Sequence, residues 1–194
     1  MTAPLPLLFL DVDGPLNPYA AKPHRRPVGY RTHRLRPEGW IAQHPTSLRA
    51  YVKPLRVWLN PAHGPALLAL ADRFELVWAT TWEADANEWI GPLLGLPQLP
   101  VVTWPTLRET SPDGTFWKTP CLVKYAAGRP FAWVDDDIGP ADHRFVAAHH
   151  SATALLRRTD PRLGLLEPDF TALAAFAQDP GAIQGAGLPA TPRG

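Results

Sequence analysis

Five short apolar runs recur along the chain, and the segments between them carry helical patterns. The runs are Leu5 to Val12, Phe74 to Ala79, Val101 to Trp104, Phe131 to Val134 and Ala152 to Arg157. Helical patterns cover Pro65 to Arg73, Thr119 to Ala127 and Pro140 to Ala148, and a last one runs from Asp169 to Gln178. Side chains on a strand alternate between two faces, and these runs are apolar on both. Such strands alternating with helices predict an α/β fold, a five-stranded parallel sheet with helices on either side.

Two segments break the alternation. Residues 17–56 are rich in Pro, Arg and His without a clear period, which predicts an insertion or flap after the first strand. Residues 179–194 (DPGAIQGAGLPATPRG) predict a flexible tail. Residues 1–178 are then a single domain, a size that can bury an ordinary core but not two.

Composition narrows the setting. One cysteine, Cys121, excludes an intramolecular disulfide framework and points to a reducing compartment. No run approaches the 18 or so apolar residues of a membrane span, and MTAPLPLLFL has no basic leader. The expectation is a cytoplasmic protein without a membrane anchor. The net charge of +1 hides a segregation: nine Lys/Arg and one acid, Glu38, lie between Lys22 and Arg56. That stretch carries +8 and the remainder −7, which bears on what the protein meets more than on how it folds.

Candidate chemistry gathers where a parallel sheet binds ligands, beyond the carboxyl ends of its strands. Asp11 and Asp13 end the first run, Thr80 and Thr81 the second, and Asp135, Asp136 and Asp137 the fourth. Lys118 stands just before the helix that leads into the fourth run. Converging carboxylates repel unless a cation sits among them. Magnesium fits such a set: it prefers oxygen and is held by one or two carboxylates plus water and substrate phosphate. A phosphate would also need a hydroxyl and an ammonium, which Thr80 and Lys118 supply.

The pattern DVDGPLNP, Thr after the second strand, FWKTP before the fourth and WVDDD after it resembles the four motifs of the haloacid dehalogenase (HAD) superfamily. The likeness spans about residues 5 to 178. WATTWE, FWKTP and RPFAWVDDD also resemble a branch similar to HAD domains of RNA-repair proteins. The resemblance implies a Rossmann-like three-layer sandwich with strand order 5-4-1-2-3 and a small basic flap. It implies Asp11 as a nucleophile forming an aspartyl-phosphate and Asp13 as general acid and then base. Asp11, the Asp13 backbone carbonyl and Asp135 would hold Mg2+, with Asp136 in support. Thr80 would bond the phosphoryl oxygens, Lys118 would neutralise developing charge, and Gly14 would let the backbone turn beneath the phosphate. An acid at position 13 favours ester hydrolysis over dehalogenation, because a departing alkoxide needs a proton and a halide does not.

Several assignments have rivals. Thr81 competes with Thr80, the other hydroxyl being left to cap the next helix. Lys124 competes with Lys118, but a mid-helix lysine more often faces solvent. Trp40 and Trp58, in or beside the basic insert, are the tryptophans best placed for base stacking, and the other six suit the core. In the insert, Arg25, Arg26 and Arg31 are candidates for contacting an anionic substrate, although surface loops are often arginine-rich. The function expected is Mg2+-dependent phosphomonoester hydrolysis, on nucleotides or phosphorylated nucleic-acid ends. The alternatives are a small-metabolite phosphatase and a non-catalytic nucleic-acid-binding module of the same fold.

Overall fold

Leu7–Leu10 (LLFL) have no exposed surface and form the central strand, β1. In chain order there follow β2 (Arg31–Leu35), α1 (Glu38–Ala42), β3 (Leu55–Leu59), α2 (His63–Leu70), β4 (Glu75–Trp78) and α3 (Gly91–Leu94). Then come α4 (Lys118–Ala126), β5 (Phe131–Asp135), α5 (Pro140–His149), β6 (Ala154–Arg158) and α6 (Glu167–Gln178). The computed structural model describes residues 4–179. All but the first residue of the expected tail lies outside them.

The sheet is parallel, ordered β4-β1-β5-β6. Alternate residues feed two cores. Leu8, Leu10, Leu76, Trp78, Ala132 and Val134 meet α2, α3 and α6 on one side. Leu7, Phe9, Val77, Phe131 and Trp133 meet α4 and α5 on the other. Two-sided burial is what the continuous apolar runs predict.

The sheet has four strands where five were expected. At Val101 to Trp104 only one parallel bridge forms, between Trp78 and Val101. Pro100 and Pro105 bound this stretch, and a proline nitrogen cannot donate to a ladder. Trp104 turns inward instead, its indole N–H donating to the Thr80 carbonyl at 2.8 Å.

The basic insert is not without structure. β2 and β3 pair antiparallel, with Arg34 opposite Arg56 and Thr32 opposite Trp58. Leu35, Val57 and Leu59 are buried in the core that β1 shares. The ribbon therefore packs on the sheet domain through one face. A π-helical turn at Ala86–Ile90, continuing into α3, is a further element that the apolar pattern did not announce. Among the described residues, no helix is long and apolar enough to cross a membrane.

Candidate active site

β1 ends in Leu10, and the chain passes at once into Asp11, Val12 and Asp13. The two acids face the same cavity, as residues two apart on an extended chain do. This cavity, of about 850 Å³, opens beyond the carboxyl ends of β1, β4 and β5. Asp136 and Asp137 follow β5 into its wall, and Lys118 enters from the start of α4.

Lys118 is the centre of the arrangement. It is 2% exposed, and its Nζ donates to Asp11 Oδ2 and Asp135 Oδ2, each at 2.7 Å. Burial pulls the ammonium's pKa down, but the charges of Asp11 and Asp135 outweigh it and hold the group above the usual lysine range. The rings of Phe116, Trp104 and Trp117 stand 5.6–5.9 Å from Nζ, an apolar surround with favourable ring faces. The start of α4 is pinned from α5. Asp142 Oδ1 accepts from the Thr119 hydroxyl at 2.5 Å and from the Phe116 amide at 2.8 Å, while its Oδ2 accepts from Gly139 N–H. Lys124, the rival, is exposed on α4.

Three acids lie close enough to share a cation. One oxygen from each of Asp11, Asp135 and Asp136 falls within 4.8 Å of the others. Magnesium–oxygen bonds of about 2.0–2.1 Å place opposed ligands roughly 4.2 Å apart, so the set needs only a small contraction. The donors are all oxygen, which suits a hard divalent cation. Burial first, and then the charges of Asp137 and Asp11, push Asp136 up to about 6. Burial and the Asp11 charge also raise Asp135. A further positive charge at this point would relieve both.

Asp13 stands apart from that trio. Its Oδ1 accepts from Asn17 Nδ2 at 2.7 Å and its Oδ2 from Trp82 Nε1 at 2.9 Å. Burial, then the neighbouring Asp11, raises its pKa, and the two donors only partly offset this. A carboxyl held in place and inclined to keep its proton suits proton transfer.

Gly14 has a more specific reason than a tight turn. It adopts φ +92°, and a Cβ there would stand 2.5 Å from Asp136 Oδ1. Only glycine lets the first motif pass this close to Asp136.

Other expectations are redistributed. Thr81 is exposed on the cavity wall; Thr80 is fully buried, its Oγ1 accepting from Trp82 N–H at 3.3 Å. Trp78 and Ala79 are buried in the two opposite cores, so alternation does not choose between the hydroxyls. Trp58 is 3% exposed, with its indole bonded to Thr32, and is closed to stacking. Trp40 lines the cavity. Arg25, Arg26 and Arg31 are exposed but do not line it, and Arg26 donates to Thr32 Oγ1 at 2.9 Å.

Arg34 and Arg56 line the cavity instead, joined by Asn17, Tyr19, Trp82, Trp117 and Asp137. Asp137 is among the acids that end the fourth run; sequence reasoning missed the others because a cavity wall is assembled from side chains that share no local pattern.

No family model, curated protein or solved structure matches the chain. The site's own chemistry must therefore carry the functional reading.

Proposed function

We propose that the protein is a Mg2+-dependent phosphomonoester hydrolase acting through an aspartyl-phosphate, on nucleotides or on phosphorylated nucleic-acid ends. The observation that supports this most is the convergence of Asp11, Asp135 and Asp136 within 4.8 Å, with buried Lys118 bridging Asp11 and Asp135 and Asp13 alongside. A purely structural ion pair would need one acid for one lysine, yet four carboxylates are gathered here. The resemblance to the HAD motifs points the same way, as do the basic ribbon over the cavity and the position of Asp13.

Asp11, Asp135 and Asp136 would hold the magnesium ion, which when bound supplies positive charge to the phosphoryl oxygens. Asp11 attacks phosphorus as a carboxylate, and the bond from phosphorus to the ester oxygen breaks. The leaving oxygen takes the proton of Asp13, so an alcohol departs. Asp13, now a carboxylate, removes a proton from water as the water oxygen attacks phosphorus. The bond to Asp11 breaks, and inorganic phosphate and both starting carboxyl states are restored. Lys118 holds one Asp11 oxygen at 2.7 Å and so keeps the nucleophile oriented. The Val12 amide holds the other, donating to Asp11 Oδ1 at 2.7 Å. Thr81 offers its hydroxyl from the wall to the phosphoryl oxygens.

Hydrolysis of p-nitrophenyl phosphate with and without Mg2+ tests the reading. The expected result is metal-dependent turnover that Asp11→Asn reduces by roughly 10³-fold or more. Wild-type protein no faster than Asp11→Asn would defeat it and favour a binding module.

A further inference from the structure

We infer that Arg34 and Arg56 form a second anion subsite, so that the preferred substrate is a small molecule carrying another phosphate besides the one removed. This deepens the phosphatase reading and rests on it. The two guanidinium groups share a cavity with the acid cluster but rise from a different element, the polar face of the β2–β3 ribbon.

Arg34 and Arg56 are register partners, so their side chains leave the same face of the ribbon. Like charges placed directly opposite one another destabilise a strand pair. No acid relieves this pair in an ion pair among the described residues. Glu38, the insert's one acid, is engaged by Arg49. Asp85, also on the wall, uses Oδ2 to accept the Gly39 amide at 3.0 Å. Arg56 is moreover pre-set: its guanidinium lies 4.0 Å from the centre of the Trp58 ring, and Trp58 is itself fixed by its bond to Thr32. Holding the planar fork in advance lowers the ordering cost of binding a phosphate, whose geometry it matches.

The size of the cavity and the placement of the other arginines favour a small molecule over a polymer. About 850 Å³ is within the usual range of small-ligand sites, and Trp40, Gln43, Trp82 and Trp117 are among the residues that line it. A long polyanion would also engage the remaining basic residues, yet Arg25, Arg26 and Arg31 are outside this cavity.

The test compares kcat/KM for adenosine 3′,5′-bisphosphate, adenosine 5′-monophosphate, a 5′-phosphorylated oligonucleotide and p-nitrophenyl phosphate. The expected result is a preference for the bisphosphate over the monophosphate of about tenfold or more, the scale of one charge-assisted contact. Arg34→Ala and Arg34→Gln should each abolish most of that ratio, chiefly through KM, and Arg25→Ala should leave the ratio as it is. Arg34 is exposed, so its replacement spares the fold, and Arg56→Lys probes the pre-set fork without removing charge. Turnover of p-nitrophenyl phosphate together with a ratio near one, or a ratio indifferent to Arg34, would overturn the subsite while leaving the phosphatase reading in place. A stronger preference for the oligonucleotide would overturn it in favour of a polymeric substrate. Absence of any turnover would instead defeat the parent reading.

Discussion

The two ends of the cavity handle charge in opposite ways. On its floor Asp11, Lys118 and Asp135 are 6%, 2% and 0% exposed, and each charge there has a partner at hydrogen-bond distance. On its wall Arg34 is exposed and, among the described residues, pairs with no acid. The contrast follows from solvation. A buried ion loses several kcal/mol of hydration and persists only among compensating groups, whereas an exposed guanidinium can wait in water for its ligand. The floor is therefore tied to stability, and the wall can be altered at little cost to the fold.

Removing the floor's cation should break this contrast most severely. Lys118→Met leaves Asp11 and Asp135 buried without their shared counter-charge, and should cost about 3–5 kcal/mol in urea unfolding without metal. Adding Asp135→Asn to that variant should return part of the loss, because one uncompensated charge then disappears. A double variant no more stable than Lys118→Met would show that the carboxylates are not coupled through the lysine.

A backbone change at the floor ranks next. Gly14→Ala places a methyl 2.5 Å from Asp136 Oδ1 at φ +92°. It should destabilise the protein by about 1–3 kcal/mol and weaken Mg2+ binding, as read by denaturation and titration calorimetry. Unchanged stability and affinity would remove the close approach from the account.

The same rule applied to a buried base gives a pH dependence. His63 packs against Tyr30 and Phe170, and burial lowers its pKa to about 4 despite a bond to the Leu165 backbone. The folded state therefore resists protonation that the unfolded chain accepts near 6.5. Stability from this group is complete above 6.5 and is lost as pH falls towards 4. His63→Gln should lessen that acid-side fall relative to wild type in thermal melts across this window. Because Asp136 titrates in the same range with the opposite sign, the difference between the two proteins is the quantity to read. Parallel curves would contradict the assignment.

The smallest effect belongs to the surface of the segment that joins β2 to β3. Arg49 and Glu38 are an exposed pair beside water, so Arg49→Ala should leave the melting midpoint unchanged within error. A clear drop would show that the ribbon depends on charge more than on Leu35, Val57 and Leu59.

What the sequence revealed follows the same division. β1, β4 and β5 were legible because runs such as LLFL and FAWVD are buried on both faces and end abruptly in acids, a conflict that only a site resolves. Lys118 was legible from its place before β5, though the Asp142 contacts that pin it were not, since they join residues 23 and 26 apart. β2 stayed hidden because RTHRL shows almost no apolar alternation, and just one of its five residues is buried. Val101 to Trp104 has the residue types of a strand, but its flanking prolines leave room for a single bridge. Parity could not separate Thr80 from Thr81, because Trp78 and Ala79 are buried in the two opposite cores; Thr81 lines the cavity and Thr80 is buried. Arg34 and Arg56 line the cavity while Arg25, Arg26 and Arg31 do not, since a count of charges locates a basic segment but not the face on which each residue emerges.

The central claim is that Asp11, Asp135 and Asp136 enclose one divalent cation. Titration calorimetry with Mg2+ on the wild type, Asp135→Asn and Asp136→Asn, each first confirmed as folded by circular dichroism, tests it directly. The account predicts one magnesium ion bound per wild-type chain, with affinity falling about tenfold or more in each variant. Saturation with no heat in the wild type, or uptake that both substitutions leave untouched, would contradict it.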